Sequence, residues 1–534
     1  MKNTKRFLAM AAALSLAACA AAPMAMTASA AATEGKVTIS DEQGTGHTYS
    51  VYKIFDGTVN ASGKLESIIF AGDNFSNFLA ALQADTTIGA DFATCTDEAS
   101  VAIVLGGYTN NSDKAKAFAD FVAANKTFVE EISTNATNSI DLGEDGYYLI
   151  IENSPASSQQ SFAMTSYLLA QYDASAGAEI TAKATYPTVD KLVQDEAADK
   201  DANSTDENGW GETADHAINE SFQFKLVATL SADSNYADYD TYRVIFNDTL
   251  NSGVTYDSIA SVKVNDNTVD PYNATTAKAG YVLSAPAANA NGGTLTITIG
   301  DIKEWLGEDS WADTSDVTVT VIYNAHLNEN AAIEKTDKTG VATSYSNVNK
   351  VSLEYSNNPN VTGSGDSATA GDDEETGTTP DDYVWVFTYE VDNVKYKNSQ
   401  GSGNELAGAE FKLYASDGTT EIGLIYDSTL AAYRPVKTGE TATVMTSAST
   451  GIFNIKGLDA GTYVLKETKA PTGYTAADDT TITIAATHQE TDTTGATAKL
   501  SLDGSANMSN SIVDTSSPID ELIASIPTGP PLNL

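Results

Sequence analysis

Six polar residues fall where a β-strand would turn them toward a core. Strands present alternate residues to opposite faces, so parity with apolar neighbours tells which face a residue shares. In one region Lys191 shares parity with Val189 and Val193, Asp248 with Val244, Phe246 and Leu250, and Asn349 with Val351, Leu353 and Tyr355. In a later region Lys395 goes with Phe387, Tyr389 and Val391, Glu467 with Tyr463 and Leu465, and Asn510 with Met508 and Ile512. Each set has one lysine, one acid and one asparagine. A buried, isolated ammonium or carboxylate is costly, so such groups must be paired, neutralised or consumed by reaction. A desolvated lysine loses its proton and becomes a nucleophile, and a carboxylic acid whose pKa the same burial raises can hydrogen-bond an asparagine carbonyl. Attack on that carbonyl with loss of ammonia would leave an amide joining the first strand of a domain to its last, with water exclusion and fixed geometry supplying the acceleration. A lone strand-end lysine more often snorkels to solvent. The repetition of the pattern in two regions is what favours reaction.

The elements that must position these residues follow from hydrophobic periodicity. Residues 37–39 and 49–55 alternate like strands, whereas Ala115, Phe118, Val122 and Val129 keep helical spacing within 112–131, so 31–186 is expected to be an α+β N-terminal domain. From Pro187 onward β-like segments recur at 189–193, 222–230, 242–250, 294–299, 317–323 and 351–355, predicting a sandwich over 187–359. Residues 360–382 are rich in Gly, Ser, Thr and acids and read as a linker, and a third β-domain is expected over 383–514. The tail, 515–534, has one short amphipathic piece at 519–526 and no stretch apolar enough to span a membrane.

A chain of 534 residues is too long for one core. Its net charge of −43 repels phosphate backbones and anionic lipid, which argues against nucleic-acid partners. Lys2, Lys5 and Arg6, an apolar run over 7–22, and the small residues Ala28-Ser29-Ala30 occur in the order of a secretory signal, so 1–30 should be removed on export and the mature chain begin near Ala31. The alternative is a lipobox at Leu16-Ala17-Ala18-Cys19, which would keep a lipidated Cys19. Cleavage near Ala30 leaves Cys95 as the one cysteine, so these domains must be stabilised by something other than a disulfide.

The segment Tyr463-Val464-Leu465-Lys466-Glu467-Thr468-Lys469-Ala470-Pro471-Thr472-Gly473-Tyr474 fits the E-box pattern YxLxETxAPxGY of Gram-positive pilins at every defined position. Val394-Lys395-Tyr396 followed by Leu406-Ala407-Gly408-Ala409-Glu410-Phe411 resembles the opening of a collagen-adhesin B-type domain. Pro187-Thr188-Val189-Asp190-Lys191, Phe246-Asn247-Asp248-Thr249-Leu250 and Asn349-Lys350-Val351 resemble the isopeptide-forming fimbrial domain of SpaA-type shaft pilins. The resemblance implies a mainly β protein of tandem immunoglobulin-like sandwiches behind an α+β domain. It assigns crosslinks Lys191–Asn349 and Lys395–Asn510, with Asp248 and Glu467 as the catalytic acids. It also implies a structural subunit at the cell surface whose expected partners are other pilin subunits, a sortase and a host or surface receptor; a monomeric wall-attached or lipid-anchored adhesin of the same modules is the alternative. Two family features depart from pattern. Tyr186-Pro187 is followed by Thr188 where the polymerising lysine is expected, leaving Lys183 as the nearest substitute, and Ile526-Pro527-Thr528-Gly529 stands in place of a full sorting signal.

Other candidates are weaker. Asp199, Asp201, Asn203 and Asp206 or Glu207 start like a calcium loop, but Ser204 and Trp210 stand where Gly and Glu are required, so a solvated acidic loop is expected. His47, His216, His326 and His488 show no metal-ligand spacing, no cofactor site is expected, and Cys95 reads as a buried thiol.

Overall fold

A computed structural model describes residues 36–516 except 41–45, 110–111, 154–163, 165, 176, 182–185, 197–200, 274, 276–278, 308–310, 313–314, 342–346, 362, 368–374 and 492–496. The expected signal at 1–30, Lys183, Asp199 and the tail beyond Ser516 lie outside the described residues.

The N-terminal unit is α+β. Its central strand Tyr49–Val59 is flanked by Leu65–Phe70 and Gly146–Glu152, with Leu168–Tyr172 beyond and Glu130–Ala136 also paired to it. This strand is buried on both faces. Tyr52, Ile54 and Phe55 pack under the helices, and Tyr49 and Val51 pack against a small sheet of Lys36–Ser40, Ser139–Asp141 and Ala178–Thr181. The helix expected over 112–131 is shorter, Asp113–Ala124, and is capped by Ser112. The Asn125 side chain takes up the Phe121 carbonyl and closes the helix. The β-branched residues Ile132 and Thr134 then enter the Glu130–Ala136 strand, so Val129 marks a boundary and not a helical turn. The two further helices, Phe75–Ala84 and Glu98–Leu105, were not legible from periodicity.

The second unit is a β-sandwich. One sheet runs Trp210–Gly211, Thr188–Gln194, Ser221–Leu230, Val317–Leu327, Val254–Val264, Asn267–Thr268; the facing sheet contains Thr213–Asp215, Asp382–Phe387, Val348–Ser356, Val244–Leu250, Gly293–Ile299 and Tyr281–Ser284. Val317–Leu327 buries every second residue along its whole length, which is the alternation that fixes its register against both neighbours.

Within 360–382, read from composition as a linker, described residues pack onto the second sandwich. Thr376–Thr378 adds to Val348–Ser356, and the Ser367 hydroxyl, buried, donates to the Gly280 carbonyl while accepting from Gly300 N–H. Its small polar side chains satisfy sheet-edge groups, a role that composition alone cannot separate from solvation. Asp382–Phe387 likewise belongs to the second sandwich. Val384 and Val386 enter that core, whereas Trp385 and Phe387 enter the third.

The third unit pairs Tyr389–Lys397 in parallel with the last strand, Ser509–Ser516, and faces this sheet with one built on Glu410–Ala415, Gly461–Lys469 and Thr480–Ile484. The second and third units are stitched together. Lys338–Val341, an excursion of the second, pairs with Thr497–Leu502 of the third.

Candidate functional site

The first lysine centre lies between the two sheets of the second sandwich. Lys191 comes from Thr188–Gln194 in one sheet, while Asp248 and Asn349 come from adjacent strands of the other, where Asp248 is opposite Val351 and Leu250 opposite Asn349. All three are fully buried. Lys191 Nζ contacts Asp248 Oδ2 and lies 4.9 Å from the Phe224 ring centroid. The facing sheets thus converge the three residues that strand parity selected. They also add one that was not selected. The Tyr323 hydroxyl takes a hydrogen bond from Lys191 Nζ (3.1 Å) and one from Asn349 Nδ2 (2.8 Å), and donates to Asp248 Oδ2 (3.0 Å). The inward parity of Val319, Val321 and Tyr323 carried that signal. Asn349 Oδ1 has no hydrogen-bond partner among the described residues. Burial lowers the Lys191 pKa against the opposing pull of Asp248, and burial raises that of Asp248 against Lys191. Both shifts favour the neutral amine and the neutral acid.

The second centre departs from the expected pairing. Lys395 Nζ donates to Glu467 Oε2 at 2.6 Å and contacts Asp514 Oδ1; all three side chains are essentially inaccessible to water. Asn510 is elsewhere. In the parallel ladder it sits opposite Asn393, to whose Oδ1 its amide donates at 3.3 Å, while Lys395 sits opposite Ile512. Asn510, Ile512 and Asp514 share one parity, so alternation selects the face correctly but leaves the level along the strand open. The long lysine side chain runs forward to Asp514 and not back to Asn510. Glu467 Oε2 also accepts from Ala477 N–H at 3.0 Å, and Glu467 is pushed upward by burial and by its contact with Asp514, against the pull of Lys395. Glu467 Oε1 and Asp514 Oδ2 lack hydrogen-bond donors among the described residues.

Lys53, the buried lysine of the first unit, contrasts with both. It contacts Asp56 and, at 3.0 Å, Glu144, and both carboxylates reach solvent. Its pKa moves up because these partners outweigh burial, so it stays charged. The acidic loop also differs from expectation. Asp201 is buried, and its carboxylate accepts from Thr213 N–H and Oγ1–H at 3.1 and 2.9 Å, so it anchors a strand.

Residues 393–499 match the family of SpaA prealbumin-like fold domains. No curated protein matches the chain. Among solved structures, the T6 backbone pilin of serotype M6 Streptococcus pyogenes, described as a modular three-domain structure, superposes with a TM-score of 0.51 at 14% identity, over 90% of this chain and 98% of its own. The full-length major pilin SpaD from Corynebacterium diphtheriae gives 0.43 at 16% identity, over 91% and 98%. BcpA, the major pilin subunit of Bacillus cereus, gives 0.41 at 13%, over 91% and 100%. The chain thus has the fold of Gram-positive major pilins, with a SpaA prealbumin-like domain in its third unit.

Proposed function

We propose that the chain is a shaft subunit of a Gram-positive surface pilus whose second and third domains lock themselves by autocatalytic isopeptide bonds, Lys191 to Asn349 and Lys395 to Asp514. The observation that carries this reading is a fully buried lysine in each sandwich set against a carboxyl group and a second side-chain carbonyl. A buried ion pair left unreacted gives little net stability. Conversion to an amide removes both charges.

In the second domain Lys191 passes its proton to Asp248, and neutral Nζ attacks Cγ of Asn349. The Nζ–Cγ bond forms and the Cγ–Nδ2 bond breaks. Asp248 lends a proton toward Nδ2 through Tyr323, which touches both, and recovers one from the attacking nitrogen, so ammonia leaves and the acid ends as it began. In the third domain the lysine proton moves onto the carboxyl pair. Nζ attacks Cγ of Asp514, the Cγ–O bond breaks, and Glu467 carries the proton from nitrogen to the departing oxygen, releasing water. Catalysis is confined to these single intramolecular turnovers.

Export, display at the cell surface and joining of subunits by a sortase complete the proposal; they rest on the signal-like N-terminus and on the pilin fold. No helix among the described residues is long and apolar enough to cross a membrane. Intact-mass and tandem mass spectrometry of the recombinant chain test the bonds: a deficit of one ammonia and one water, with crosslinked peptides containing Lys191–Asn349 and Lys395–Asp514, is expected. Full sequence mass would overturn them. A ladder of SDS-resistant bands from cell-wall extracts tests polymerisation, and a single band would favour the monomeric adhesin.

A further inference from the structure

The junction of the second and third domains gathers acidic residues around one histidine. Thr213–Asp215 of the second sandwich faces Ala486–Glu490 of the third. The two are held by Ala202 N–H donating to the His488 carbonyl (3.0 Å) and by Asn203 Nδ2 donating to that of Glu490 (2.6 Å). The His488 ring is thereby inserted beneath the second domain, 1% exposed, beside Asp195 and Asp215, both buried. Its Nε2 lies 3.3 Å from Asp195 Oδ2 and 3.7 Å from Asp215 Oδ2.

Hydrogen bonding fixes the tautomer. The Thr213 hydroxyl has one proton, and it goes to Asp201 Oδ2 at 2.9 Å; Thr213 Oγ1 therefore accepts from His488 Nδ1–H at 2.8 Å. In the neutral ring Nε2 then presents a bare lone pair to two carboxylate oxygens, with no hydrogen-bond partner among the described residues. Three electron pairs converge on a space closed to water. Asp215 Oδ2 is already held by Tyr389 OH at 2.6 Å, and the same carboxylate also meets the Asp459 side chain.

We propose that Asp195, Asp215 and His488 form an interdomain site for a divalent transition-metal ion of the Zn2+ type. Zinc bonds of about 2.0 to 2.1 Å in tetrahedral geometry place neighbouring donor atoms roughly 3.3 to 3.5 Å apart, and the observed separations of 3.3 and 3.7 Å bracket that edge. The imidazole nitrogen selects against Ca2+ and Mg2+, which take oxygen donors. The His488–Thr213–Asp201 chain is the outer hydrogen bonding that orients a ligating histidine and raises its basicity. Charge points the same way. Asp195, Asp201 and Asp215 face one imidazole, so a single added proton leaves the cluster negative, whereas a dication beside a neutral ring comes nearer balance. Because two ligands belong to one sandwich and the third to the next, the ion would clamp their relative orientation. The four histidines are scattered in sequence, and the junction is what brings His488 within reach of both Asp195 and Asp215.

The test uses the secreted chain without a histidine tag, stripped of metal and titrated with ZnCl2 at pH 7.5 in competition with a chromophoric chelator. One Zn2+ per chain is expected, with a rise in Tm. His488→Gln should weaken binding about 100-fold and abolish the Tm rise, and Thr213→Val, which keeps all three ligands, should weaken it roughly 10-fold. The two isopeptide mass deficits, read on the same samples, report whether each variant folded, independently of metal. Zinc binding undiminished in His488→Gln, or absent from the parent chain, overturns the site, the latter leaving His488 as a protonated ion-pair partner. Calcium binding as tightly as zinc and indifferent to His488→Gln overturns it as well.

Discussion

At the scale of single residues, the two proposed bonds would form with different leaving groups, ammonia from Asn349 and water from Asp514. Lys395 contacts Asp514 and not Asn510, because the parallel register sets Ile512 opposite Lys395 and Asn510 opposite Asn393. Asp514→Ala should therefore remove the water deficit and leave the ammonia deficit, whereas Asn510→Ala should leave both, as read by intact mass. Glu467→Ala should leave Lys395 unreacted, since no other proton carrier reaches both ends of the bond among the described residues. In the second domain, Tyr323→Phe keeps the ring against Phe224 but removes the hydroxyl joining Asp248 to Asn349. Crosslinking should slow by about 10- to 100-fold, read as the uncrosslinked fraction over time after refolding, with Lys191 still bonding in the end. Wild-type kinetics in Tyr323→Phe would show that Asp248 acts on Asn349 directly. Alternation in the sequence predicted that Lys191, Asp248 and Asn349 face one core, where all three are buried, because in a two-sheet core face is nearly the whole question. It does not distinguish Asn510 from Asp514, which share parity and differ only in level along the strand, and it is Asp514 that contacts Lys395.

At the scale of elements, the strands were legible where one face is buried and the other wet, as in Ser221–Leu230 and Val317–Leu327. They were less legible where burial has another period. Tyr49–Phe55 still read as a strand although it is buried on both sides, but Asp382–Phe387 feeds alternate residues to two different cores, so its segment passed for linker and domain start. That shared strand makes the junction a packed element. Gly457 shows how tight it is: its φ is +81°, its carbonyl accepts from Ile218 N–H at 3.0 Å, and a Cβ there would meet Ile218 Cδ1 at 2.4 Å. Gly457→Ala combines left-handed backbone strain with that clash and should cost on the order of 1 to 3 kcal/mol. Both isopeptide bonds should persist, while limited proteolysis should begin to separate the second domain from the third. Unchanged protease resistance would mean that the stitch of Lys338–Val341 on Thr497–Leu502 holds the junction by itself.

At the scale of the molecule, the proposed crosslinks would decide where tension travels. Load entering along Thr188–Gln194 would pass through the proposed Lys191–Asn349 bond, leave through Val348–Ser356, and cross the third domain from Lys395 to Asp514. Residues 192–348 and 396–513 would then be off the load path. As covalent loop closures these bonds should also stabilise each domain by about 4 to 5 kcal/mol through the unfolded chain, if they act as disulfides of similar span do. In the first domain the buried lysine, Lys53, ends in ion pairs with Asp56 and Glu144, so no bypass is proposed there. Pulling a single molecule from both ends should therefore release one long step, about 50 nm, from the first domain alone. Lys191→Ala should add a second step of similar length from the second domain, and Asp514→Ala a separate, shorter one from the third. Three long steps in the wild-type chain would mean that the buried lysines remain ion pairs under load and that the mechanical role assigned to them is wrong.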